Sequence, residues 1–354
     1  MRCSSALRTT SSTVAAVGSL LLSSCATSDP VTAVDTPDRL EFRSVPSVAV
    51  AGQVIDPAIQ VTVLRADGSV ATSAAVPVAL SARLAVGSDT VRGDTIVVTS
   101  AGVATFQALR VNRASDDTRF VATSPGLVGA RSAAVRVLAG PPATLAFLTQ
   151  PDSAVAGVNL PIVRVEARDA GGNRSTVASG VVAVSVVTGP DGATIVGTAV
   201  ADLVQGLAVF PDLMLPRAGT GYALQATLVG VDGVTRAITR TFRTRPGAAA
   251  VLVFDQQPSA GIVGQPFIPA VTVQVHDGFG NVVPTASPTV SMQVAVAAAG
   301  FTLQGTTAVA AAAGVATFAN LRPDRTSSVV RLRADAPGLA SAISAAFAVG
   351  AVVP

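Results

Sequence analysis

The chain of 354 residues is long enough for two to four domains, and its apolar share of 49% comes with only 4% aromatic residues and no Trp. All 24 basic residues are Arg, which excludes a lysine phosphate loop or Schiff base, and the single His, His276, excludes a multi-histidine metal site. Abundant Val, Thr, Gly and Pro favour sheets with many turns over long helices.

The first 24 residues have the composition of a secretory signal, with an early positive charge followed by a short apolar stretch at 14–22. That stretch is shorter than the roughly 20 residues of a transmembrane helix. It ends in Leu-Ser-Ser-Cys at 22–25, which resembles the lipobox of bacterial lipoproteins. The resemblance implies a signal peptide at 1–24, lipidation of Cys25 and anchoring in a bacterial envelope. An uncleaved anchor and an ordinary secretory signal cut elsewhere are the alternatives.

The predicted cleavage also changes the charge and the cysteine count. It removes two of the 24 basic residues and leaves 22 against 21 acidic ones, so no basic face for several phosphates survives and nucleic-acid binding is excluded. Cys25 becomes the one Cys of the mature chain because Cys3 is discarded, and the cores must therefore hold without a disulfide. The lipoprotein resemblance makes Ala26 compatible with outer-membrane sorting; whether the protein is periplasmic or surface-exposed is left open.

Motifs recur three times in the same order, and the copies of the first one, Leu-x-Phe, are separated by 105 and 107 residues. Leu-x-Phe stands at 40–42, 145–147 and 252–254, and Gly-x-Ala-x-Phe stands at 102–106, 206–210 and 314–318. We therefore predict tandem domains separated by connections rich in Pro and Gly. The predicted organisation is a flexible tether at 25–36 followed by domains at 37–140, 141–247 and 248–354.

The alternation of apolar and polar residues in each repeat predicts short strands. In the second copy Val163 and Val165 alternate with charged residues, and the strand runs into Asp-Ala-Gly-Gly-Asn at 169–173. The third copy has the equivalent turn Asp-Gly-Phe-Gly-Asn at 277–281. About seven such strands per hundred residues predict an immunoglobulin-like β-sandwich. The predicted fold class is all-β, with three tandem immunoglobulin-like sandwiches after a lipoprotein signal peptide.

The ordered motifs resemble the bacterial immunoglobulin-like repeats found in surface proteins, including the stalks of invasin- and intimin-type adhesins. The resemblance covers residues 37 to 354 and implies an adhesion or spacer role. The first copy departs from the pattern at 65–69, where the Gly-Asn pair of the turn is missing.

Candidate chemical groups each have a simpler structural interpretation. His276 faces outward on a Val-alternating strand, and Glu166 stands between Arg164 and Arg168 on one strand face, where an ion-pair ladder is expected. Tyr222 is expected to serve as a corner tyrosine or a packing residue. We predict no catalytic, cofactor-binding or metal-binding residue, and Cys25 is the single predicted site, for lipidation.

Two acidic features remain to be interpreted. The oxygens of Asp169 and Asn173, and of Asp277 and Asn281, are weighed as calcium ligands against a plain β-turn, which is favoured because each turn has one carboxylate. The acidic pair at 116–117 is predicted to be solvated loop charge.

The predicted function is a non-enzymatic cell-envelope lipoprotein, a spacer, adhesion or protein-interaction module that needs no cofactor. Its membrane partner would be reached through Cys25, and a protein partner or a second copy through the low-charge third domain, 248–354. The alternative is a carbohydrate-binding accessory lipoprotein, which the absence of Trp and the single Tyr disfavour. A hydrolase with a concealed pair of Asp residues is the third possibility.

Overall fold

The computed structural model describes residues 36–84 and 88–351. Within those residues the chain forms thirty strands and no helix. None of the described segments is a helix able to cross a membrane. The predicted signal peptide, Cys25 and all but the last residue of the predicted tether lie outside the described residues.

The first sandwich, 39–138, contains a small sheet in the order β1-β3-β7 and a larger sheet in the order β2-β10-β8-β4-β5. In the larger sheet β6 also pairs with β4, and β9 pairs with β8. The strands are β1 (Arg39–Ser44), β2 (Val48–Val50), β3 (Ile59–Leu64), β4 (Pro77–Leu84), β5 (Ser88–Asp89), β6 (Ile96–Val98), β7 (Val103–Phe106), β8 (Ser115–Thr123), β9 (Ala130–Arg131) and β10 (Val135–Leu138).

The second sandwich, 144–245, repeats this topology with sheets β11-β13-β16 and β12-β19-β17-β14-β15, and β18 pairs with β17. Its strands are β11 (Thr144–Phe147), β12 (Ser153–Val155), β13 (Val163–Arg168), β14 (Val181–Thr188), β15 (Val200–Asp202), β16 (Leu207–Phe210), β17 (Gly219–Val229), β18 (Ala237–Ile238) and β19 (Phe242–Arg245).

The third sandwich, 249–350, has sheets β20-β22-β26 and β21-β30-β28-β23-β25, with β29 beside β28 and an additional pair β24-β27. Its strands are β20 (Ala249–Gln256), β21 (Gly261–Ile262), β22 (Val271–Asp277), β23 (Thr289–Val296), β24 (Leu303–Gln304), β25 (Ala308–Ala310), β26 (Val315–Phe318), β27 (Arg322–Pro323), β28 (Ser327–Asp335), β29 (Ala342–Ile343) and β30 (Phe347–Gly350).

In every sandwich the short second strand pairs in parallel with the last strand, so the N-terminal part of each repeat contributes to both sheets. Each sandwich also has its own apolar core between the sheets. The prediction of three tandem immunoglobulin-like sandwiches is therefore confirmed. The domain boundaries at 140 and 247 stay predictions, as does the tether.

The Gly-x-Ala-x-Phe motif forms a two-residue hairpin turn that leads into a core strand. In the second copy Gln205 and Gly206 have φ angles of 49° and 73°, and Val204 and Leu207 exchange backbone hydrogen bonds of 2.9 and 3.1 Å. Two consecutive positive φ angles are typical of the type I′ turn that suits the twist of a hairpin. Alternation then places Phe210 inside, where it is 1% exposed.

Tyr222 is a corner tyrosine, as one of its two interpretations predicted. Its ring is fully buried and stacks on Phe242 with ring centroids 5.8 Å apart. Its hydroxyl donates a hydrogen bond of 2.6 Å to the backbone carbonyl of Arg217, five residues upstream. Burial raises the pKa of the Tyr222 phenol, which therefore keeps the proton that it donates.

Candidate functional site at the junctions between sandwiches

The turn at 169–173 of the second sandwich holds a buried carboxylate against the end of the first sandwich. Asp169 is 4% exposed, and its Oδ2 accepts a hydrogen bond of 2.8 Å from the backbone N–H of Gly140. Its Oδ1 accepts from the backbone N–H groups of Gly171 and Asn173, both at 2.9 Å. A buried carboxylate must be paired or hydrogen-bonded, and here amide donors satisfy it without a cation.

Asn173 bridges the same turn to the first sandwich through both ends of its amide. Its Nδ2 donates to the carbonyl of Asn112 at 2.7 Å, and its Oδ1 accepts from the N–H of Ala114 at 3.0 Å. The Nδ2 also donates to Asp169 Oδ2 at 2.9 Å. We call these contacts of Asp169 and Asn173 with Gly140, Asn112 and Ala114 the first junction.

The second junction repeats this arrangement between the second and third sandwiches. Asp277 is 1% exposed and accepts from the N–H of Gly247 at 2.8 Å. Asn281 donates to the carbonyl of Pro216 at 2.8 Å and accepts from the N–H of Ala218 at 2.8 Å. The partners named on the preceding side are all backbone groups. The side chains that form the junction therefore come from the Asp and Asn of the following copy.

The turn at 65–69 of the first sandwich has the same backbone but different side chains. Arg65 N donates to Ser69 O at 2.8 Å, as Asp169 N donates to Asn173 O at 2.9 Å. Arg65 and Ser69 thus occupy the Asp and Asn positions, and the Arg65 guanidinium bonds within its own sandwich, to Ser69 Oγ at 2.9 Å. The Asp and Asn are therefore present in the two copies that contact a preceding sandwich.

Sequence reasoning missed this role and weighed the same turns as β-turns or calcium ligands. The carboxylate oxygens and the Asn Oδ1 atoms are engaged by N–H donors. Within 36–84 and 88–351 no group of three or more His, Cys, Asp or Glu residues is placed to hold a metal ion. The available signal was the departure at 65–69, because the pair is present in the second and third copies and missing in the first.

The other candidate residues take part in local contacts. His276 is half-buried, and its Nε2 lies 2.8 Å from Gln274 Oε1. Glu166 forms the expected ion pair with Arg168 at 3.0 Å, but its second partner is Arg174, at 4.0 Å, instead of the expected Arg164. The reason is that Arg174 follows the turn and folds back beside β13.

The acidic pair at 116–117 corrects another expectation. Both residues lie in β8 and not in a loop. Asp116 pairs with Arg136 of the neighbouring strand β10 at 2.9 Å, and Asp117 pairs with Arg119 at 2.8 Å. Two adjacent Asp residues are uncommon in strands, but here each has an Arg within reach.

The second junction should be weakened by acid. Burial raises the pKa of Asp277, but the hydrogen bonds that the carboxylate accepts outweigh burial, and the net pKa lies below its usual value of 3.8. A carboxyl with a lowered folded pKa contributes its full stability above the unfolded pKa and loses it as the pH falls through the folded pKa. We therefore expect amide exchange at Gly247 to be constant from pH 7 to 5, after correction for intrinsic rates, and to accelerate below pH 4.

The variant Asp277→Asn is the control for this acid effect, because its side chain has no carboxyl group to protonate in this range. An acid step of the same size at Gly247 in that variant would contradict the assignment to Asp277.

No protein-family model matches the chain, and no curated protein is significantly similar to it. Among solved structures it is similar to three immunoglobulin domains of titin, I67–I69, at 13% identity, covering 90% of this chain and 100% of that chain with a TM-score of 0.30. It is also similar to the FN1–FN3 domains of chicken CNTN1, at 11% identity, 88% and 97% coverage and a TM-score of 0.33. The protocadherin gammaB7 EC3-6 structure matches at 12% identity, 89% and 78% coverage and a TM-score of 0.36. The assignment of three sandwiches rests on the sheet topology above.

Proposed function

We propose that this chain is a non-enzymatic lipoprotein of a bacterial envelope, anchored through Cys25, whose three sandwiches act as a spacer and interaction module. The observation that supports the proposal most directly is the repeated pair of junctions. Asp169 and Asn173, and then Asp277 and Asn281, each form hydrogen bonds with the end of the preceding sandwich.

Such junctions suit a spacer because they restrict bending between domains. Interdomain connections in one chain move relative to one another unless contacts hold them. Here the connecting residues Gly140 and Gly247 are themselves held by buried carboxylates, and Ser175 Oγ donates to the carbonyl of Gly140 at 2.6 Å. A restricted connection would keep the third sandwich at a defined distance from the anchored end.

The variant Cys25→Ser should lose both fatty-acid labelling and partition into detergent. A chain of buried CH₂ groups contributes about 0.8 kcal/mol per group, so loss of the acyl chains should release the protein from membranes. Metabolic labelling with a fatty-acid probe and detergent phase separation measure the two properties. Equal membrane retention by the variant would instead support an uncleaved anchor.

The carbohydrate-binding alternative receives little support from the surface. Among the described residues Phe279 is the one exposed aromatic side chain, at 51%, and Tyr222 is fully buried. Sugar rings commonly stack on exposed aromatic side chains, and the described residues offer one such side chain, Phe279. A glycan array and a hydrolase screen with the mature protein test this alternative and the hydrolase with a concealed Asp pair.

The third sandwich is our proposed contact for a protein partner or a second copy. Its edge strand β25 exposes Ala308 and Ala310, and such a low-charge edge favours strand addition. The neighbouring strand β23 adds little to this surface, because Val290 and Met292 face the core, while Val296 is 48% exposed.

Removal of residues 248–354 should therefore abolish partner binding or self-association. Replacement of 37–140 by an unrelated rigid domain of similar length should preserve it. Sedimentation velocity of the mature chain measures self-association, and immobilised mature protein measures partner binding. A requirement for surface residues of the first sandwich would contradict the spacer model.

A further inference from the structure

The two junctions carry equivalent grooves of different size and charge. The groove at the second junction has a volume of about 710 Å³, and its lining includes Val155, Thr220, Arg243, Arg245, Pro246 and Pro284. The groove at the first junction has a volume of about 250 Å³, and its lining includes Asp116, Arg136, Leu138, Ala139, Arg174 and Thr176. A volume of about 300–1,000 Å³ is typical of ligand sites, and the larger groove alone reaches it.

Strand register shows which positions correspond in the two grooves. Arg136 pairs with Val48 of β2, and the equivalent pair in the second sandwich is Arg243 with Ser153 of β12. Two positions later Leu138 of the first sandwich is replaced by Arg245 in the second. The second groove therefore has one more Arg on this strand than the first.

The arginines also differ in their partners. At the first junction Arg136 is neutralised by Asp116 at 2.9 Å, and Arg174 donates to the carbonyl of Gln205 at 2.8 Å. At the second junction Thr220 occupies the position of Asp116, because Gly219 pairs with Thr244 as Ser115 pairs with Val137. Within the described part of the chain, neither the guanidinium group of Arg243 nor that of Arg245 forms a hydrogen bond or an ion pair; the backbone of both residues is paired with β12.

Strand geometry places these two arginines together. In β19 Phe242 and Thr244 are buried, while Arg243 and Arg245 are exposed on the opposite face. Residues i and i+2 of a strand are about 6.6 Å apart and point the same way. An extended peptide with acidic residues at i and i+2 has the same spacing, and each carboxylate can accept two parallel hydrogen bonds from a guanidinium group.

We infer that the groove at the second junction binds an acidic, extended segment of a protein partner through Arg243 and Arg245. The walls formed by Val155, Pro246 and Pro284 suit the apolar side chains that alternate with the acidic ones. None of the described lining residues is aromatic, which favours a peptide over an acidic polysaccharide. The inference rests on the proposed interaction role and names the class of partner.

The test uses the mature full chain and a fluorescein-labelled peptide of alternating Asp and Val, with an Asn-Val peptide as the uncharged control. In fluorescence polarisation at low salt the Asp-Val peptide should bind at least tenfold more tightly than the control, and added salt should weaken it. The double variant R243Q/R245Q should lose at least tenfold in affinity. Arg136→Gln in the first groove should leave the affinity unchanged.

A second variant leaves both arginines in place and tests whether the missing acidic partner is what lets the second groove bind the peptide. Thr220→Asp introduces the carboxylate that the first groove has, and the resulting ion pair with Arg243 should weaken peptide binding about tenfold. The variant Thr220→Asn introduces a side chain with the shape of Asp but no charge, and it should bind the peptide as tightly as the original chain does. Unchanged melting temperatures show that the variants fold.

Several outcomes would overturn the inference. These are equal binding by R243Q/R245Q, equal binding by Thr220→Asp, and tighter binding of polygalacturonate or inorganic phosphate than of the Asp-Val peptide. The proposed function fails separately, if Cys25→Ser stays in the membrane or if partner binding survives removal of 248–354. Loss of peptide binding in R243Q/R245Q with full membrane anchoring would support both.

Discussion

Replacement of Asp277 by Ala should lower the free energy of opening the second junction by about 2–4 kcal/mol. The variant leaves the N–H groups of Gly247, Phe279 and Asn281 without their acceptor. Each unsatisfied buried donor costs about 1–3 kcal/mol, and water entering the opened junction recovers part of the sum. Native-state hydrogen exchange of residues 247 and 277–281 measures the change directly.

The matched control is Arg65→Ala, at the equivalent position of the first sandwich. Arg65 is half-buried, but its side chain bonds to Ser69 and Val70 of its own sandwich through exposed hydrogen bonds, so its loss should cost less than about 1 kcal/mol. Equal effects of Asp277→Ala and Arg65→Ala would show that the carboxylate stabilises only its own turn and not the junction.

The variant Asn281→Ala tests the hydrogen bonds of Asn281 across the junction while the carboxylate of Asp277 stays in place. It removes the bonds to Pro216 and Ala218 but leaves Asp277 with its backbone donors. Because Asp277 and Asn281 contact each other at 2.8 Å, the double variant should cost less than the sum of the single variants.

Phe210→Ala should lower the free energy of unfolding of the second sandwich by about 3–5 kcal/mol. Phe210 is 1% exposed in the core of that sandwich, and removal of a buried aromatic ring loses its transfer free energy and leaves a cavity. Calorimetry of the full chain should show one transition at lower temperature, with smaller changes in the transitions of the sandwiches on either side.

Val209→Ala is the matched control for this core substitution. Val209 precedes Phe210 in β16 but is 41% exposed on the opposite face, so its truncation should cost less than about 1 kcal/mol. Equal shifts for the two variants, or a single transition for the whole chain, would contradict independent cores.

The fold followed from the sequence because its determinants are local. Alternating Val residues, the hairpin turn at Gly206 and the inward Phe210 all act within one repeat, and each copy shows them independently. The role of Asp169 and Asp277 did not follow, since their partners belong to a different copy. The acidic pair at 116–117 was placed in a loop because its Arg partners lie on another strand and at another position of β8.

The grooves were also invisible in the sequence. Arg243 and Arg245 look like ordinary outward residues of a strand, and the sequence does not show that Arg136 has an acidic partner while they have none. The distinction comes from Thr220 in place of Asp116; each lies on a neighbouring strand, at least twenty residues from the Arg in question.

At each junction one sandwich contributes backbone groups and the next contributes side chains. This asymmetry affects how such a chain can gain repeats by gene duplication. The preceding sandwich contributes mostly backbone groups, such as the carbonyls of Asn112 and Pro216, which every copy has whatever its side chains. A duplicated second or third repeat brings its own Asp and Asn and needs no compensating change in the copy before it. The first repeat, with Arg65 and Ser69, could not be moved to an internal position without new substitutions. Repeats can therefore be added by a single genetic event at internal positions.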